Sequence, residues 1–164
     1  MRSKTVRPGS VDSFAEEASS QLGEPALAAQ HFYPRNYMKT YFFGRLIRTL
    51  LGRTRLDDRL PQFNLLVVTA TRVAVFGVNF SYRSRVALSG PHGTWQRSTV
   101  TATKKRVKLV TGGLPDMDGS GYTNRHEHTL LRLSLQTPDG ELGADMLSPG
   151  SQRTRQVARE LAAK

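Results

Sequence analysis

The chain has 164 residues, a length that suits one domain or a domain with a tail and is enough to bury one core without staples. It has no cysteine, which excludes a disulfide framework, thiolate zinc sites, iron–sulfur clusters and a cysteine nucleophile. Lysine and arginine number 24 against 13 acidic residues, a formal charge of +11, and 38% of residues are hydrophobic, so the composition is neither that of a membrane-embedded protein nor that of a disordered one.

The charge is unevenly placed. Residues 25–115 hold fifteen basic groups and two acids, Asp57 and Asp58, and carry the whole excess; the stretches before and after are each slightly acidic. Such a field draws anions, and the candidate partners are an acidic protein surface, anionic lipid headgroups or nucleic acid. The first residues include no apolar run of the kind a secretory leader needs. The run from Tyr41 to Leu51 is interrupted by Arg45 and Arg48 and is far shorter than the ~20 residues that span a bilayer. The expectation is a cytoplasmic protein with no transmembrane segment, one that can sit at a membrane surface.

In chain order, residues 1–10 read as a flexible tail and residues 11–55 as an N-terminal helical segment. Ser13 and Glu16 form a capping-box pattern, and Phe14, Ala18 and Leu22 fall on one helical stripe that Gly23 and Pro25 end. Ala26 to His31 adds a further turn or two, and Pro34 breaks the chain. From Asn36 to Gly52, Met38, Phe42, Leu46 and Leu50 line one stripe, with Lys39, Arg45 and Arg48 beside or opposite it: a basic amphipathic helix for the core, for a partner or for an acidic membrane.

After Pro61 the period becomes two. Leu65 to Thr69 is an ungapped apolar strand of a covered sheet position, and Arg72 to Phe80 returns with Ala74, Phe76, Val78 and Phe80 on one face. Ser84 to Leu88 is a third strand, Gly90-Pro91-His92-Gly93 a turn, and Thr94 to Thr103 and Lys105 to Val110 a fourth and fifth. A glycine-rich loop runs from Gly112 to about Arg125. Thr129 to Gln136 alternates cleanly, with Leu131, Leu133 and Leu135 inward. Thr137-Pro138-Asp139-Gly140 is a hairpin turn, Glu141 to Leu147 returns, and Ser148-Pro149 starts a last helix that buries Val157 and Leu161. The class is α+β: a bent antiparallel sheet or partial barrel of six or seven strands capped by a C-terminal helix, with N-terminal helices.

The run Leu60-Pro61-Gln62-Phe63-Asn64-Leu65-Leu66-Val67-Val68-Thr69-Ala70-Thr71-Arg72-Val73, then Trp95-Gln96-Arg97, then the leucine-rich strand with its Pro-Asp-Gly turn and the last helix, resembles bacterial PH-like (GRAM-like) domains of high-GC Gram-positive bacteria. The resemblance covers residues 56–163 of a domain drawn at 56–164. It implies a seven-stranded bent sheet closed by a helix, and docking roles toward lipid headgroups, peptides or proteins, with no catalytic residues.

Lys104, Arg106 and Lys108 alternate with Lys105, Val107 and Leu109, which puts the three even-numbered charges on one face and the apolar pair on the other. With Arg97, Arg83 and Arg85 on preceding strands, neighbouring strands would gather six cations into one outer patch. No DNA-reading helix or base-stacking aromatic motif accompanies it, which favours an acidic protein or lipid over nucleic acid, and Trp95 reads as core or sheet-edge packing. The loop Asp116, Asp118, Ser120, Gly121, Tyr122, Asn124, Glu127 matches an EF-hand ligand pattern, with the Tyr122 carbonyl at position seven, and marks a possible Ca²⁺ site. The helices that should flank it are absent from the pattern, and a polar hairpin loop is the simpler reading. His126 and His128 share a strand face and read as surface histidines. No phosphate-cradling loop, nucleophile elbow or dinucleotide fingerprint occurs, so no enzyme and no other cofactor is expected.

Overall fold

The computed structural model describes residues 10–35, 56–80, 86–111 and 126–163. Helix α1 (Val11–Leu22) is followed by strand β1 (Ala28–Pro34) and a 3-10 turn (Leu56–Arg59). Then come β2 (Asn64–Val68), β3 (Arg72–Phe80) and β4 (Val86–Gln96), a second 3-10 turn (Arg97–Thr99), β5 (Thr101–Thr111), β6 (His126–Thr137), β7 (Gly140–Met146) and helix α2 (Gln152–Ala162). The strands form one open antiparallel sheet of seven in the order β4-β3-β2-β1-β7-β6-β5.

The connection from Gln96 to Thr101 forces this sheet to curl. Six strand spacings of about 4.8 Å would hold β4 and β5 roughly 29 Å apart in a flat sheet. Five extended residues reach only about 18 Å. The two edges therefore approach each other, and α2 closes the inside of the curl.

Two apolar layers result. Inside, Phe32, Leu66, Val68, Val75, Leu131, Leu133, Leu135 and Met146 pack with Val157, Ala158 and Leu161 of α2. Outside, Phe14, Ala18 and Leu22 of α1 cover Ala29, Leu65, Val67, Ala74, Phe76 and Val78. Strand β2 is buried on both faces, and this explains why its sequence shows no polar gap. Full burial of Phe14 and of Leu22 contributes about 1.5–3 kcal/mol each.

Several sequence expectations hold and others are corrected. The α1 stripe, its Gly23 end (φ 69°) and the inward leucines of β6 are as expected. The N-cap is Ser10, whose Oγ accepts the Ser13 N–H at 3.2 Å, in place of Ser13. Residues 28–31 are not helix but the start of β1, because they pair with Leu65–Val68 at the middle of the sheet. The sheet thus draws on both sides of the boundary expected at residue 56. Gly90-Pro91-His92-Gly93 is not a turn: it lies within β4, whose pairing with β3 continues on both sides of a register shift at Val75/Gly77. The strand expected from Thr94 ends at Gln96, the second 3-10 turn intervening. Helix α2 begins after an N-cap at Ser151, three residues beyond Ser148. The basic amphipathic helix expected over Asn36–Gly52 lies outside the described residues.

Glu24 ties the end of α1 to the β2–β3 hairpin. Its carboxylate accepts from the Thr69 and Thr71 hydroxyls and the Thr71 N–H, and pairs with Arg72 at 3.4 Å. The Thr69 hydroxyl first, then the Thr71 hydroxyl, its amide and the Arg72 charge hold the carboxyl below the usual glutamate value of 4.5, against the opposing pull of desolvation. A lowered carboxyl pKa adds stability above the unfolded value, and that stability drains away as pH falls through the folded one. Thermal unfolding followed from pH 6 to about pH 3 should therefore show a steeper loss below about 4.5 in the wild type than in Glu24→Gln. Parallel curves would remove Glu24 from the linkage.

Candidate anion-binding site

Ten of the twelve described arginines and lysines fall into two groups of five. Five arginines are tied to carboxylates of the chain, four of them in pairs where the arginine or its partner is partly buried and Arg153 at the surface. Arg35 pairs with Glu141 at 2.8 Å, Arg72 with Glu24, Arg97 with Glu160 at 3.0 Å, Arg132 with Asp145 at 2.6 Å and Arg153 with Asp12 at 2.6 Å. Lys104, Lys105, Arg106, Arg155 and Arg159 are all exposed, and among the described residues no carboxylate pairs with them.

The second group sits on β5 and α2. β5 is an edge strand, and the register decides which way its charges face. Lys104 lies opposite Leu133 and Arg106 opposite Leu131, while Lys105 lies opposite Arg132 and Val107 opposite Leu130. Directly opposite residues share a face. Lys104 and Arg106 therefore stand on the inner side, that of the core leucines, and Val107 on the outer side, the reverse of the expected arrangement. The reason is β5's place at the sheet edge: among its described side chains only Ala102, near its start, packs against the inner core, and Lys104 to Arg106 carry charge on both faces. Lys108 is exposed further along the same strand.

On α2, one flank is occupied. Arg153 reaches Asp12, Gln156 Nε2 donates to the Leu27 carbonyl and Glu160 holds Arg97. The helical period places Arg155 and Arg159 away from these three partners. With Gln152 and Gln156 they line a shallow polar pocket of about 320 Å³.

Arg97 does not belong to a free patch. One of its guanidinium nitrogens donates to the Thr69 carbonyl at 3.2 Å, and the other to the Glu160 and Ala163 carbonyls and the Glu160 carboxylate. It caps the C-terminal turn of α2, where a cation also meets the negative end of the helix dipole. The strands expected to be neighbours are not: β4 and β5 are opposite edges of the sheet. The structure brings Lys104, Arg106 and Lys108 together on one strand and adds Lys105, Arg155 and Arg159. Arg83, Arg85, Lys39, Arg45 and Arg48 lie outside the described residues, as do Asp116, Asp118, Ser120, Tyr122, Asn124 and the side chain of Glu127. Among the described residues no group of three or more His, Asp or Glu side chains converges on one point, and no helix is long and apolar enough to cross a membrane.

Trp95 is buried, and its indole Nε1 donates to Asp139 Oδ2 at 2.7 Å, tying β4 to the β6–β7 turn. A second tie crosses β7. The Arg35 side chain runs over Gly143 to Ser134 and Glu141, and a Cβ on Gly143 would stand 2.5 Å from Arg35 Nε, so no larger residue fits beneath it. The chain matches no family model, no curated protein and no solved structure.

Proposed function

We propose that the chain is a non-catalytic docking module that binds an anionic partner along β5 and α2. The observation that carries this is the sorting of its cations: five arginines are paired with carboxylates of the chain, and five of the exposed cations that no described carboxylate pairs with concentrate on one strand and the helix packed beside it. Unpaired charge on adjacent elements attracts a partner of the opposite sign and sets its orientation. An acidic, extended protein segment suits the site better than a lipid headgroup, because β5 ends the sheet and offers backbone hydrogen bonds that a membrane surface would leave unused. Strand number, meander order and the closing helix support the PH-like reading of the sequence and its docking roles.

The test is fluorescence anisotropy of the full chain with a labelled peptide of alternating glutamate and valine, run at several salt concentrations. Binding should weaken with salt, and Lys104→Gln/Arg106→Gln/Arg155→Gln/Arg159→Gln should weaken it by about 10–100-fold at an unchanged melting temperature. Phosphatidylserine vesicles and a short duplex DNA are the comparison arms. Binding to either of those with none to the peptide would move the assignment to that partner. Silence in all three at low salt would end it.

A further inference from the structure

Away from the cationic elements, a pocket of about 410 Å³ opens between the first 3-10 turn, β4 and the β6–β7 turn. Its floor is apolar, made by Leu60, Val75, Leu142 and Trp95, all buried. Its rim carries three exposed polar residues, Arg59, His92 and Asp139. An apolar cavity with a few converging polar groups is the usual form of a small-molecule site, and this volume lies toward the small end of that range.

The walls are held in place. The hydrogen bond to Asp139 fixes the indole of Trp95 and engages one of that carboxylate's oxygens. Trp95 and His92 also occupy space that two glycines leave. A Cβ on Gly93 would stand 2.4 Å from the Trp95 ring, and one on Gly77 would stand 2.7 Å from His92 Nε2. The His92 ring lies 3.3 Å from Ser89 Oγ at the lip. Among the described residues Arg59 has no carboxylate partner, so its guanidinium faces the opening with its donors unspent. The rim carries one guanidinium that no described carboxylate pairs with and one carboxylate, Asp139, that the indole already holds; above the apolar floor, the guanidinium suits a flat apolar body carrying an anionic group.

We propose that this pocket binds a small aromatic carboxylate, its ring on the floor beside Trp95 and its carboxylate on Arg59. A planar fork of donors holds a carboxylate through two parallel hydrogen bonds. The proposal is independent of the docking surface on β5 and α2.

Trp95 is the chain's single tryptophan, so its indole N–H gives one resolved signal in a ¹H–¹⁵N spectrum. Titration of the full chain with benzoate and with phenylacetate should shift that signal saturably, with benzyl alcohol and benzylamine at least about tenfold weaker. Arg59→Gln, its remaining spectrum unchanged, should weaken benzoate about tenfold or more. The proposal is overturned if neither acid gives a saturable shift, if benzyl alcohol or benzylamine matches the acids, or if Arg59→Gln binds benzoate as the wild type does. The neutral and cationic probes decide the matter on the wild type alone should the variant fail to fold.

Discussion

Replacing Arg97 by alanine is expected to lower the unfolding free energy by about 2–3 kcal/mol, read by urea denaturation, whereas neutralising Lys104, Arg106, Arg155 and Arg159 together leaves it within about 0.5 kcal/mol. The two outcomes differ because the same kind of charge does different work at the two places. The Arg97 side chain is 18% exposed and its Glu160 partner 22%, so the pair is largely removed from water. Alanine at 97 takes away charge-assisted donors to Thr69, Glu160 and Ala163 and leaves the Glu160 carboxylate without its partner. The last turn of α2 then frays, and with it the contacts of Leu161 with the inner core. Arg97→Lys should recover less than half of the loss, since an ammonium cannot repeat the fork of donors. A loss below about 1 kcal/mol in Arg97→Ala would show that α2 docks through its apolar side alone.

This contrast also marks where the sequence is legible. Alternation in β6, the stripe of α1 and the ungapped β2 are signals carried by burial, and burial is written locally, residue by residue. The seven-stranded sheet and its closing helix follow from them. β1 is hidden because Ala28–Pro34 carries His31, Tyr33 and Pro34, a mixture with neither period. Its strand form comes from pairing with β2 residues more than thirty positions away. The sequence Gly-Pro-His-Gly has the composition of a turn, and only the ladder to β3 shows that it runs through a strand. The charges are harder still. Which cations are free depends on where the carboxylates fall in space: Arg97 meets Glu160 and Arg132 meets Asp145 only after folding. Arg155 and Arg159 escape a count by segment because the acids of the β6–β7 hairpin cancel them in the sum, although their spacing of four residues on the last helix was available as a signal.

Arg132→Met is expected to destabilise the protein by about 3–5 kcal/mol, the cost of leaving a buried carboxylate without its guanidinium. Asp145 is 5% exposed, and Arg132 grips it through both carboxylate oxygens, Nε to Oδ1 at 2.6 Å and one terminal nitrogen to Oδ2 at 2.8 Å. Desolvation opposes the pair, but the Asp145 hydrogen bond outweighs it and raises the Arg132 pKa. The pair lies at the thinnest seam of the sheet. Among the described residues β1 meets β7 through two residue pairs, Tyr33 with Asp145 and Pro34 with Ala144, and the proline has no N–H to give. The Arg35 N–H to the Gly143 carbonyl at 2.9 Å extends the seam by one bond. Side chains supply the rest: Arg132 binds β6 to the very residue of β7 that faces Tyr33, and Arg35 binds the end of β1 across β7 to Ser134 and Glu141. Asp145→Leu alone should cost less than Arg132→Met, because the freed guanidinium, already 18% exposed, can swing toward water. The double variant Arg132→Met/Asp145→Leu should recover at least half of the Arg132→Met loss, since the carboxylate that Arg132 grips directly is then gone with it and Asp57 is the buried acid that remains. Urea unfolding of the three variants gives the coupling energy directly. A double variant as unstable as the sum of the singles would mean that the charge pair does not brace β7 at its seam with β1, and that the seam rests on α2 and the inner core.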